Sequence, residues 1–310
     1  MIPIKFIEKY KYGGWENCIY LSNEKIELVI TTDVGPRIIR FGFVGEQNLF
    51  KEFSEQLGKT GGNAWRIYGG HRLWHAPEGK LRSYFPDNSL LKYNWDGKIL
   101  KLSQDVEGTT KVQKVIEITL DPTNCMVEIT HRIINRNLWN IKLAPWAITV
   151  MEIGGHAIIP QEPYRTWEEC ILPVRSVVLW AYTDMSDPRW TWGRKYIQLK
   201  QDPKIKTRQK IGVMNTLGWI AYYLNGNLFV KRSKYDSNAE YADFGCNMEV
   251  YTDSDILEIE TLGGLEGIPP DGSVTHKENW FLFRSKLEDS ENSINKNLCP
   301  LIKEIESIDY

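Results

Sequence analysis

Paired cysteines are missing from this chain. Its five cysteines, Cys18, Cys125, Cys170, Cys246 and Cys299, are scattered, odd in number and without a C-x-x-C pair. That pattern suggests neither a disulfide framework nor a cysteine zinc site. No stretch is long and apolar enough to cross a bilayer. The opening residues, MIPIKFIEKYKYGGW, have no apolar core of the kind a secretory leader needs. A formal net charge of -2 provides no attraction to nucleic acid or to an anionic membrane surface. These absences point to a reducing, cytoplasmic setting. Also missing are a fixed-period repeat, a low-complexity block and a composition shift that would mark a linker. The expectation is one domain over residues 1–310.

Aromatic residues, by contrast, are abundant. Twelve Trp and 15 Tyr suit a large core and equally suit sugar binding, where ring C–H groups pack on aromatic faces. Strand signals dominate the rest. The segment EKIELVITTDVGPRIIRFGF alternates Ile26, Leu28 and Ile30, breaks at Gly35-Pro36 and resumes, which reads as strand, turn, strand. Asn225-Gly226, between two apolar runs, is a two-residue hairpin signal. A second hairpin is expected around Asp253-Ser254-Asp255. Helix signals are few. Leu301, Ile302, Ile305 and Ile308 form one stripe after Pro300, predicting a C-terminal helix over about 292–308. Many strands at short spacing imply a large antiparallel β-sandwich, all-β apart from that helix.

Two places carry candidate chemistry. In the hairpin 247–261, alternation puts Asn247, Glu249 and Tyr251 on one face, with Glu258 and Glu260 sharing a face on the returning strand. Three carboxylates so close raise one another's pKa unless cations intervene; the bland alternative, which the sequence alone favours, is an ordinary solvated outer face. Lys231, Arg232 and Asp243 are candidates to join them. The second place is YGGHRLWHAPEGK. Of the chain's five histidines, His71 and His75 fall here, with Arg72, Trp74 and Glu78. A sugar site would use a histidine as acid or base and Arg72 as a planar clamp. A metal site would use His71, His75 and Glu78, although Pro77 breaks a regular helix there. The bland alternative is a loop whose histidines satisfy backbone groups. His156, after another Gly pair, is a further site candidate.

The stretch LSNEKIELVITTDVGPRIIRFGFVGEQNLF near the start resembles the opening hairpins of the aldose 1-epimerase (galactose mutarotase) superfamily. LEIETLGGLEGIPPDGSVTHKENWFLF resembles that family's catalytic-glutamate strand, loop and final strand. The GGH-R-x-W-H-A-P-E and N-M-E-V-Y-T segments suggest a divergent branch. The resemblance implies a supersandwich that interconverts sugar anomers by acid/base chemistry. Glu260 would be the base and His71 or His75 the acid. Arg72, His156, Glu249, Trp74, Trp146 and Lys231 would bind substrate. It implies no metal or other cofactor, a small carbohydrate as partner, and no nucleic-acid or membrane partner. One departure stands out: after NRNLWN at 135–140, Trp146 occupies the neighbourhood where the family carries a histidine. That departure motivates an alternative, a non-catalytic carbohydrate-binding protein on the same fold. A third reading is a metal-dependent sugar enzyme using His71 and His75.

Overall fold

The computed structural model describes residues 4–306. Two large antiparallel sheets, one of 11 strands and one of 10, face each other as a sandwich. The main core lies between them and draws Ile19, Phe41, Phe50, Ile116, Ile129, Met151, Phe229, Ile259 and Trp280 from both sheets. The hairpins fall where turn chemistry put them. Trp219–Leu224 and Asn227–Arg232 are joined by Asn225-Gly226, both at positive φ, the type I′ geometry that matches strand twist. Met248–Thr252 and Leu257–Leu262 are joined by a turn in which Asp253 Oδ1 accepts from the backbone N–H groups of Asp255 and Ile256.

The C-terminal helix runs Glu291–Glu306; the end of the expected span lies outside the described residues. Pro300 sits inside this helix rather than at its first turn. The helix starts a full two turns earlier because Ser290 caps it, its Oγ accepting from Ser293 N–H. Ile294, Leu298, Ile302 and Ile305 then pack on the outer face of the 10-stranded sheet, against Trp219, Leu228 and Phe281. No helix among the described residues is long and apolar enough to cross a membrane.

Strand order in the 11-stranded sheet decides what meets. The strand Gly70–Ala76 and the strand Leu257–Leu262 both pair with Ile141–Met151, one on each side. Segments nearly 200 residues apart are thereby two strands apart. The strand Gly70–Ala76 can begin where it does because Gly69 and Gly70 have φ of +108° and +68°. A Cβ on Gly70 would stand 2.2 Å from the Ile38 carbonyl oxygen, so only glycine fits.

Candidate functional site

Side chains alternate across each strand, and here alternation sorts the predicted residues into two groups. On the outer face of the 11-stranded sheet lie Arg72 and Trp74, Trp146 and Ile148, Glu258 and Glu260, Glu249 and Tyr251, and Lys210 from the strand Gln209–Val213. The register sets Ile148 opposite both Arg72 and Glu260, and Glu260 opposite Glu249. Three carboxylates do share one face, as the pattern predicts, yet it is not a solvated face. Glu249 and Glu260 are fully buried and Glu258 nearly so.

Above this face lies a cleft of about 420 Å³ lined by Trp65, Arg72, Trp74, Glu78, Tyr84, Trp146, Trp180, Tyr182, Arg208, Lys210, Tyr251 and Glu258. That volume suits a small ligand. The aromatic rings are mutually braced. Trp74 stands edge-on to Trp146, with centroids 5.6 Å apart, and to Tyr84 at 4.9 Å.

Each buried charge in the floor has a counter-charge. Arg72 donates from Nη2 to Glu258 Oε1 at 2.9 Å and stacks 4.9 Å from the Trp74 centroid. Its Nε and Nη1 are buried without a partner. Lys210 Nζ lies 2.9 Å from Glu260 Oε2 and 2.7 Å from Glu249 Oε2. Only the first contact has hydrogen-bond alignment; Glu249 keeps both oxygens without a donor. Trp146 Nε1 donates to Glu260 Oε2 at 2.7 Å. Burial alone would lower the Lys210 pKa, but Glu249 and Glu260 reverse that and hold it well above the usual lysine range. Burial pushes the Glu249 and Glu258 carboxyls up, against the pull of Lys210 and Arg72. Burial also raises Asp243, which is within electrostatic reach of Lys210, Glu249, Glu260 and Glu78.

His71 and His75 are not in this cleft. They alternate with Arg72 and Trp74 and so point the opposite way, beneath the sheet. The expected meeting of Glu260 with either histidine does not occur. His71 joins a buried network between the sheets. There His131 Nδ1 donates to the His276 carbonyl oxygen at 3.2 Å, so its Nε2 is the acceptor for His71 Nε2–H at 2.7 Å, and His71 Nδ1 accepts from the Thr149 hydroxyl. Glu278 accepts from Lys231 at 2.8 Å, from Trp280 Nε1 at 2.9 Å and from the Thr261 hydroxyl, which itself accepts from His276 Nε2. All three histidines are neutral in this arrangement, in keeping with burial that drives His71 well below its ordinary pKa and His131 and His276 to about 3.

Lys231, expected to balance the hairpin glutamates, is committed to Glu278 on the inner side, and Lys210 takes its place. His156 lies in the other sheet, edge-on to Tyr223. The metal set His71, His75 and Glu78 does not converge, since Glu78 lines the cleft. His71, His131 and Glu278 do bring donor atoms within 4.8 Å of one another. Their hydrogen bonds already occupy those atoms, so the group reads as a satisfied polar core. Lys210, Trp65, Trp180, Tyr182, Tyr84 and Arg208 were not foreseen. Only Lys210 left a signal, the alternation of QKIGV.

No protein-family model matches the sequence, and neither does any curated protein. Solved structures do match in fold. A TPR-domain containing protein from Parabacteroides distasonis superposes with a TM-score of 0.58 at 12% identity, over 87% of this chain and 48% of its own; the chain thus spans about half of that protein's length. A galactose mutarotase-like protein from Lactobacillus casei gives 0.56 at 8% identity, over 86% of this chain and 100% of its own. A galactose mutarotase related enzyme from Lactobacillus acidophilus gives 0.54 at 10%, over 87% and 100%. The chain therefore has the galactose mutarotase-like fold, a likeness of architecture and not of activity.

Proposed function

We propose that the cleft binds a sugar ring and that the protein interconverts its anomers in the manner of an aldose 1-epimerase. One observation carries this reading: Arg72 and Trp74, from one end of the sequence, and Glu258, from the other, line a single aromatic-walled cleft of about 420 Å³. A pyranose lying on Trp74 and Trp146 would offer its hydroxyl oxygens to the unpartnered Nε and Nη1 of Arg72. Glu258 is the proton-transfer group, because it lines the cleft and burial keeps its pKa raised, closer to the operating range of a general acid or base. Glu258 takes the proton from the anomeric hydroxyl as the C1–O5 bond breaks, and its protonated carboxyl hands that same proton to O5, so the carboxylate is regenerated in the open-chain form. Rotation of the aldehyde and reclosure then yields the other anomer.

Glu260 acts through Lys210 and Trp146, both of which it holds. Lys210 supplies fixed positive charge beside the reacting oxygens, and needs no proton exchange to do so. The test is NMR or polarimetry on a freshly dissolved α-anomer. Glu258→Gln is expected to slow enzyme-dependent equilibration about a hundred-fold or more, with Glu260→Gln slowing it less. The reverse order would return the base role to Glu260. Equal rates with wild type and without enzyme would reject catalysis.

A second reading is sugar binding without turnover. It is favoured by the absence of any histidine from the cleft lining and by the full occupation of Glu260 by Lys210 and Trp146. Calorimetric binding with no anomerisation would select it.

A further inference from the structure

We propose that the sugar carries an amine and binds as its ammonium form, an inference that rests on the cleft being a sugar site. Acidic groups in and directly under the cleft outnumber basic ones: Glu78, Asp243, Glu249, Glu258 and Glu260 against Arg72, Arg208 and Lys210. Both buried cations are already committed, Arg72 to Glu258 and Lys210 to Glu249 and Glu260. Among the cleft cations a phosphate has the exposed Arg208 to meet without breaking a pair, and there it stands among the Glu78 and Glu258 carboxylates that line the same cleft.

An ammonium group has the opposite effect. Glu78 stands at the mouth of the cleft, where its carboxylate accepts from the Tyr84 hydroxyl at 2.6 Å and is exposed. Asp243 is held in the turn Ala242–Gly245, where it and Phe244 have φ of 50° and 59°, left-handed conformations that cost non-glycine residues free energy. That strained turn keeps a carboxyl close to the Lys210 cluster, with no ion pair formed among the described residues. The ring walls add to the preference. Trp65, Trp74, Trp146, Trp180, Tyr84 and Tyr182 present aromatic faces that attract cations, and Arg72 and Lys210 already use Trp74, Trp146 and Trp180 in this way. The unpartnered N–H groups of Arg72 remain for the hydroxyl oxygens of the ring.

Calorimetry with D-glucosamine, D-galactosamine, their neutral parent hexoses, their N-acetyl derivatives and glucose 6-phosphate tests this at neutral pH. An amino sugar is expected to bind at least ten-fold more tightly than its parent. N-acetylation should abolish that advantage, and so should about pH 9, where an amine of the α-amino kind is neutral. Asp243→Asn, outside the cleft lining, should shrink the advantage while leaving parent-hexose affinity in place, and asparagine tolerates the left-handed turn, so that variant keeps its fold; Glu78→Gln, in the lining, should shrink the advantage too. A parent hexose binding as tightly as its amino form, or a phosphate ester binding best, overturns this inference and leaves the sugar site standing. Binding of none of these compounds overturns both.

Discussion

At the scale of single residues, Lys210 has the most to hold together. Two fully buried carboxylates, Glu249 and Glu260, depend on its ammonium group. Replacing it by methionine keeps the aliphatic volume between Trp146 and Trp180 but removes the charge. Breaking a buried ion pair from one side costs about 3–5 kcal/mol, so Lys210→Met should lose that much by urea denaturation at pH 7. The deficit should shrink as the pH falls, since protons can then neutralise the orphaned carboxylates. A deficit that stays constant or grows toward acid would show that the carboxylates do not depend on Lys210. Trp146 belongs to the same group of contacts. Where the resemblance leads one to expect a histidine, an indole N–H meets Glu260. It supplies a hydrogen-bond donor and an apolar face, and it cannot exchange a proton.

At the scale of elements, the strand Gly70–Ala76 organises the site because its two faces have different tasks. Arg72 and Trp74 build the cleft, while His71, Leu73 and His75 serve the interior. Gly70→Ala should disrupt that strand. The added methyl meets the Ile38 carbonyl oxygen at 2.2 Å and takes a φ of +68°, strain of about 1–3 kcal/mol before the clash is counted. The check is a drop in thermal midpoint together with loss of sugar binding; an unchanged midpoint would refute the account. The hairpins were legible in the sequence because their turns obey local rules, as at Asn225-Gly226. The carboxylate face of 247–261 was legible because alternation is local too. The faces of His71 and His75 were not. A cluster of polar residues in one strand cannot reveal which alternate members point inward, when the inner face also buries polar groups. The alternation of QKIGV places Lys210 on one face of its strand, but its role was not legible: its partners come from the hairpin 248–262, and only strand pairing brings them to it.

At the scale of the whole molecule, the histidines tie stability to pH. Burial lowers every one of them: His131 and His276 to about 3, His75 and His156 to about 4, and His71 well below its ordinary value. In the unfolded chain each titrates near about 6.5. Between these values the unfolded chain holds more protons than the folded one, so stability rises with pH across that window. The contribution is fully present above about pH 6.5 and is lost on acidification, at up to about 1.4 kcal/mol per pH unit for each histidine. Glu52, Glu249, Glu258 and Asp243 work the other way, since their raised pKa values let the folded state bind protons first. Five histidines against four such carboxyls leave the acid side the weaker, and urea denaturation should show stability falling from pH 7 to pH 5. His156→Gln isolates one share of the effect. The ring packs on Tyr223 with Nε2 unpartnered, outside the network around Glu278, so glutamine removes a titrating group without breaking that network. The variant should have a shallower slope over the same interval, with one proton fewer taken up on unfolding at the lower pH. An identical slope would mean that His156 is already protonated in the fold, and that its burial does not govern its charge.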